Sequence, residues 1–213
     1  METTTQELTD ALLPIFPDFG TTGRPLVRPL FGLLAQGHPV TAEALAGATG
    51  LPVATVRRYL DQWWGLRYDS DSSIIGFWGL DLFATRHQLR IGERDLFAWC
   101  AWDCLFLPGL IGEEAEVTSL CPETGDDIRL RVAPEGVLDA EPEDIRLALQ
   151  LPDPEAARDD VRCAFCGEVR FLADPEAASR WQQQHPGVRL LSLEAGHRLG
   201  GSVWAALLGE EGA

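Results

Sequence analysis

The sequence predicts an α+β protein: a winged helix-turn-helix-like helical domain over residues 1–80, then a mixed β-sheet domain with flanking helices over residues 81–213. Three observations carry this expectation. Apolar residues recur at helical spacing in three segments between Pro25 and Trp64. An apolar run, Ile74 to Leu80, follows them, bounded by Asp and Ser turn residues, where the ribbon of such a domain would lie. From Asp81 onward short strand-like runs take over.

The first helix spans Pro25 to Gln36 and ends at Gly37-His38-Pro39. Thr41 caps a second helix that stops near Gly50, because its hydroxyl can accept an otherwise unpaired amide. A third runs from Val53 to Trp64, with Val56, Tyr59, Leu60 and Trp63 as its apolar stripe. In the second part, Leu89 to Ile91 reads as a strand and Arg94 to Phe106 as a helix ended by Pro108-Gly109. Ala115 to Leu120 and Ile128 to Val132 form a hairpin around Cys121-Pro122-Glu123-Thr124-Gly125-Asp126. Ile145 to Leu151, Val161 to Leu172 and Val188 to Leu193 are further strands. Asp174-Pro175-Glu176 starts a helix towards Gln184, and the tail from Leu199 to Leu208 is helical.

Composition limits the function classes. At 213 residues and 46% hydrophobic, the chain can bury a core without staples. The seventeen basic residues, all arginine, stand against 33 acidic ones, for a net charge of −16. That balance repels phosphate backbones and anionic membranes, so neither nucleic acid nor membrane is an expected partner. The segment from Arg24 to Tyr68 is locally basic, with five arginines against Glu43 and Asp61. Its third helix, however, offers only Arg57 and Arg58 before Trp63 and Trp64, which favours a packing domain over a DNA reader. The first residues lack a basic signal region and no apolar run approaches a membrane span, so a cytoplasmic location is expected. Five cysteines, an odd number, then point to reduced thiols.

Two of those thiols stand in useful company. In Trp99-Cys100-Ala101-Trp102-Asp103-Cys104, helical spacing would put Asp103 and Cys104 on the face of Cys100. An apolar setting raises a carboxyl pKa, so Asp103 can hold a proton near neutral pH and deliver it. Cys166 lies in Cys163-Ala164-Phe165-Cys166-Gly167, read as part of a strand. Thiols beside a protonatable group suit a soft, thiophilic substrate such as a heavy metal. For Cys100 the plain alternative is a small buried hydrophobe, and for Cys121, beside Pro122 and Gly125, a structural thiol in a turn. Cys100, Cys104, Cys163 and Cys166 also admit a Cys₄ zinc site in a helix-turn-helix metal sensor. His38, His87, His185 and His197 show no ligand spacing.

The run Leu96-Phe97-Ala98-Trp99-Cys100-Ala101-Trp102-Asp103, followed by Phe106, Pro108 and Leu110-Ile111-Gly112, closely resembles the signature of bacterial organomercurial (alkylmercury) lyases. So do Ser119, Cys121 and Thr124-Gly125, the Phe165-Cys166 pair with Phe171, and Gly37 with Pro39-Val40. The resemblance implies a winged-helix-like domain not used for DNA beside a mixed-sheet domain that holds the site. It implies Cys100, Cys166 and Asp103 as catalytic residues that also bind mercury, and Cys121 as a structural thiol; the helical spacing of Cys104 from Cys100 makes it a candidate further ligand. Gly167, Cys104 and Cys163 depart from the family pattern, which often has a second cysteine, a hydroxyl residue and no thiol at these positions. The implied reaction is protonolysis of a carbon–mercury bond to a hydrocarbon and Hg(II), with no organic cofactor. Its partners are an organomercurial substrate and, as Hg(II) acceptors, cytosolic thiols or mercuric reductase.

Overall fold

The computed structural model describes residues 4–210. It opens on α1 (Thr5–Leu12), which begins with a capping box: Thr4 Oγ1 accepts from Glu7 N, and the Glu7 carboxylate accepts from Thr4 N. The Thr-x-x-Glu signature of that start is legible in the sequence. α2 (Gly20–Leu34) begins five residues earlier than expected and contains Pro25 and Pro29. Each proline removes an internal donor at a cost of about 3 kcal/mol. Burial of Leu26, Val27, Leu30, Phe31 and Leu34 holds the helix together regardless. α3 (Ala42–Thr49) has the expected Thr41 cap, which accepts from Ala44 N, and ends at Gly50 in the left-handed region. α4 (Val53–Gln62) follows, then the ribbon of β1 (Leu66–Tyr68) and β2 (Ile74–Phe77). Three helices and a ribbon thus form as expected.

The ribbon continues into a larger sheet. β2 turns through Trp78-Gly79 into β3 (Leu80–Asp81), and β3 pairs with β5 (Arg94–Ala98), itself paired with β4 (His87–Ile91). With β6 (Ala115–Leu120), β7 (Asp127–Ala133) and β8 (Gly136–Glu141), eight strands lie in the order β1-β2-β3-β5-β4-β6-β7-β8. A smaller sheet places β9 (Arg146–Leu149) between β10 (Arg170–Leu172) and β11 (Arg189–Ser192). The α+β class stands. Its strand pairs are antiparallel, where a mixed sheet was expected, because most neighbours are joined by hairpins too short for a parallel crossover.

Two segments differ from expectation, and both carry the thiols. Residues 94–106 are not one helix: Leu96 and Ala98 point inward from β5, the chain turns over residues 99–102, and α5 (Asp103–Ile111) starts afresh. An all-apolar run has no period, so pairing with β3 and β4 decided its form. α5 also passes through Pro108 and stops at left-handed Gly112. Residues 161–172 are not one strand either. α6 (Pro154–Ala164) begins where Asp153 accepts from Glu155 N and Ala156 N, with Pro154 at the first helical position. It kinks at Asp160 and gives way to a 3₁₀ turn over Cys166–Glu168 before β10. α7 (Pro175–Gln184), capped by Asp174, and α8 (Leu193–Leu208) complete the chain.

One buried core runs through the whole chain. Trp204 of α8 lies against Phe16, Phe19 and Phe31 on one side and Phe106 of α5 on the other. The helical part therefore braces the helix that begins with Asp103.

Candidate active site

Cys100, Ala101 and Trp102 form a buried turn between β5 and α5, and Asp103 is the first residue of that helix. Its Oδ2 accepts from Cys100 N at 2.7 Å, closing the turn and setting carboxyl and thiol side by side. Trp99 anchors the approach: its backbone N–H donates to Gly79 O at 2.8 Å and its indole to Asp81 Oδ2 at 2.7 Å. Asp81, fully buried, is also paired by Arg67 and by Phe83 N. On the other side, the Trp102 indole donates to Gly196 O of α8 at 3.0 Å.

Cys166 stands at the start of the 3₁₀ turn after α6, and Phe165 beside it meets the Trp102 ring edge-on at 6.0 Å. The ligand atoms of Cys100, Asp103 and Cys166 all lie within 4.8 Å of one another. Cys100 is 0% exposed, Asp103 4% and Cys166 5%. Two thiols and one carboxyl thus share a dry space.

That dryness sets their protonation. Burial pushes the Asp103 carboxyl up to about 7, against a partial opposing pull from its hydrogen bonds with Cys100. At neutral pH it exists in both forms, so it can take or give a proton, as the sequence led one to expect. Burial, the hydrogen bond to Cys166 and the Asp103 charge hold the Cys100 thiol well above its ordinary value. For Cys166 the hydrogen bond from Cys100 pulls downward, while burial and Asp103 leave it raised on balance.

The tip of the β2–β3 hairpin touches the carboxyl directly. Gly79 has φ +102°, and a Cβ there would lie 2.6 Å from Asp103 Cγ and 2.7 Å from Oδ1. Trp78 beside it also has positive φ, a costly conformation for a bulky residue. Phe16 stacks on its ring at 4.2 Å, and its indole donates to Trp64 O at 2.9 Å. The helical part thereby presses the hairpin onto Asp103. Gly79→Ala is expected to move that carboxyl by about 1 Å and cut turnover about 10²-fold, with some loss of stability. Turnover assays on the folded variant check this, and an unchanged rate would contradict it.

The other thiols stand apart. Cys100 is not helical, so the expected shared helical face with Cys104 does not form. Instead, Cys104 Sγ is buried and donates to Cys100 O at 3.5 Å, and it is outside the close trio. Cys163 is exposed on the last turn of α6. The Cys₄ zinc arrangement is therefore not formed by these side chains. Cys121 is buried in the β6–β7 loop, where its sulfur accepts from Ala173 N at 3.4 Å and ties the large sheet to β10. His87 is a core residue whose Nδ1 pairs with Ser119 Oγ at 2.8 Å. Burial, with Arg170 and Arg86 nearby, pulls its pKa down to about 3.

A family model described as alkylmercury lyase matches residues 82–205, the span that holds all three clustered residues. The chain belongs to the alkylmercury lyase family. A second model, the helix-turn-helix domain of alkylmercury lyase, matches residues 5–78 of this alkylmercury lyase family member. The alkylmercury lyase of Pseudomonas putida is 42% identical over 175 residues, covering 82% of this chain and 81% of the relative. That of Bacillus cereus is 39% identical over 175 residues, covering 82% and 78%. The Streptomyces lividans alkylmercury lyase is 37% identical over 210 residues, covering 98% and 96%. Among solved structures, the mercury-bound form of MerB2 superposes with a TM-score of 0.76 at 25% identity, covering 97% of this chain and 100% of that one.

Sequence reasoning missed the residues that hold the site in this family member: Gly79, Asp81 and Gly196. A signal existed for Gly79, since Trp78-Gly79 between apolar pairs is a two-residue hairpin turn. Nothing local marks Asp81 or Gly196, which meet the site only through tertiary packing.

Proposed function

We propose that the chain cleaves the carbon–mercury bond of organomercurials by protonolysis, giving a hydrocarbon and Hg(II), and so serves organomercury detoxification. The observation that carries this reading is the buried trio of Cys100, Cys166 and Asp103, because the reaction needs two soft donors and one proton source at one point.

In this reading one thiol, written here as Cys166, displaces the ligand that carries R–Hg⁺, and that ligand leaves with the thiol proton. Cys100 then passes its proton to the Asp103 carboxylate and adds to mercury as a second thiolate. Two sulfur donors push electron density towards the carbon. Asp103 returns the proton to that carbon, the hydrocarbon departs, and Hg(II) remains bound by both sulfurs as product. Asp103 ends as it began, ionised, and a value near 7 suits both halves of the transfer. Cytosolic thiols or mercuric reductase then accept the ion. Residues 1–80 act as a packing unit and residues 81–213 carry the chemistry, a reading in which Trp63, buried in the core, and Trp64, packed against it, serve packing. Among the described residues no helix is long and apolar enough to cross a membrane.

Incubation with phenylmercury tests the reading. Benzene and Hg(II) should form in equal amounts, and phenylmercury recovered intact from the folded protein would refute it.

A further inference from the structure

Arginines gather around the thiol pair of a chain whose net charge is −16. Arg170 Nη1 donates to the carbonyls of Cys166 at 3.2 Å and Val169 at 3.1 Å, so its guanidinium lies on the backbone that carries the second thiol. The Arg162 guanidinium sits 5.6 Å from the centre of the Trp99 ring, one residue before Cys100. Burial first, and then the charge of nearby Arg86, lower the pKa of the Arg170 guanidinium, and both arginines act on the buried His87. Arg86 and Arg162 are exposed. Among the described residues the ion pairs all use other arginines. Of the nearby acids, Asp160 spends its carboxylate on the amides of Arg162 and Cys163, and Glu168 is exposed. Like charges repel, and with Glu168 near Arg170 and Asp160 near Arg162 but neither in an ion pair with them, these three guanidiniums leave a place for an anion.

Mercury is soft and reaches a protein as a thiolate complex, so the charge of that thiol is what such a surface can read. We propose that Arg86, Arg162 and Arg170 recognise a low-molecular-weight thiol bearing carboxylates, which delivers the organomercurial and later removes Hg(II). The proposal rests on cleavage at the Cys100–Cys166 pair. In removal, two incoming thiols form S–Hg bonds, the bonds to Cys100 and Cys166 break, and the two thiol protons pass to the cysteine sulfurs. No electrons are transferred. An acidic chain would otherwise repel such a carrier.

The test has two arms. Protein loaded with Hg(II) is extracted with mercaptosuccinate, 2-mercaptoethanol or cysteamine, each rate normalised to the same thiol acting on a small mercury dithiolate. In parallel, kcat/KM is measured for phenylmercury presented as the complex of each thiol. The parent should favour mercaptosuccinate over 2-mercaptoethanol about tenfold at low salt, the low end for a charge-lined surface, and lose that preference in high salt. Arg86→Glu and Arg162→Glu, both at exposed positions, should abolish it and turn the order towards cysteamine. An equal preference in parent and variants would overturn the proposal. Extraction needs no carbon–mercury cleavage, so a parent that discriminates but yields no benzene would sink the lyase reading and leave the arginine site standing.

Discussion

Cys166→Ser and Cys100→Ser are each expected to lower hydrocarbon release about 10³-fold or more, the size of effect seen when one member of a concerted site is removed. A hydroxyl is too hard a donor to replace sulfur on mercury, so either variant leaves one soft donor where the reaction needs two. Each variant should still capture phenylmercury on its remaining thiol, Cys100 with Asp103 to take its proton or Cys166 with the departing ligand to take it, and then stall before the hydrocarbon is released. Intact-mass spectrometry distinguishes the adduct from the empty protein. Full activity in either folded variant would end the two-thiol mechanism.

Asp103→Asn is expected to keep capture and lose about 10²- to 10⁴-fold in hydrocarbon release, the usual worth of a positioned acid. The amide can still accept from Cys100 N, so the turn should survive. The same substitution has a signature in stability. Burial raises the Asp103 pKa from 3.8 to about 7 in the folded chain. The unfolded chain releases that proton near pH 4 while the folded one holds it until about pH 7, so stability from this group is complete below pH 4 and falls as pH rises through 7. Asn carries no such penalty. The variant should therefore gain on the parent by on the order of 3 kcal/mol between pH 5 and pH 8, read by denaturant unfolding at both values. A constant difference would mean that Asp103 is not a raised acid.

The helical part was legible because its signals are local. Thr41 and Gly50 bracket α3 as side-chain and backbone chemistry require, and the strict alternation in β6 and β7 specified a hairpin. The site was harder for a physical reason. Leu96 to Trp102 is apolar at nearly every position, because it is buried on all sides, and such a run looks alike as helix or strand. A helical period therefore puts Cys100 and Cys104 on one face, whereas the turn before α5 separates them. The run Val161 to Leu172 likewise reads as a strand, although Asp153-Pro154-Glu155 announces a helix just before it. That Cys100 and Cys166 meet at all depends on packing between elements 66 residues apart, and spacing alone contains no such information. Resemblance to a family supplied the pairing, and the fold shows how Asp103 comes beside the thiols: a buried carboxyl that accepts from Cys100 N.

The most direct test is a single turnover of phenylmercury in deuterium oxide. Protonolysis at this site predicts benzene carrying one deuterium per molecule, in an amount equal to the active sites, with Hg(II) left on the protein. Benzene without deuterium, or a phenyl group still bound to mercury on the folded protein, would contradict it.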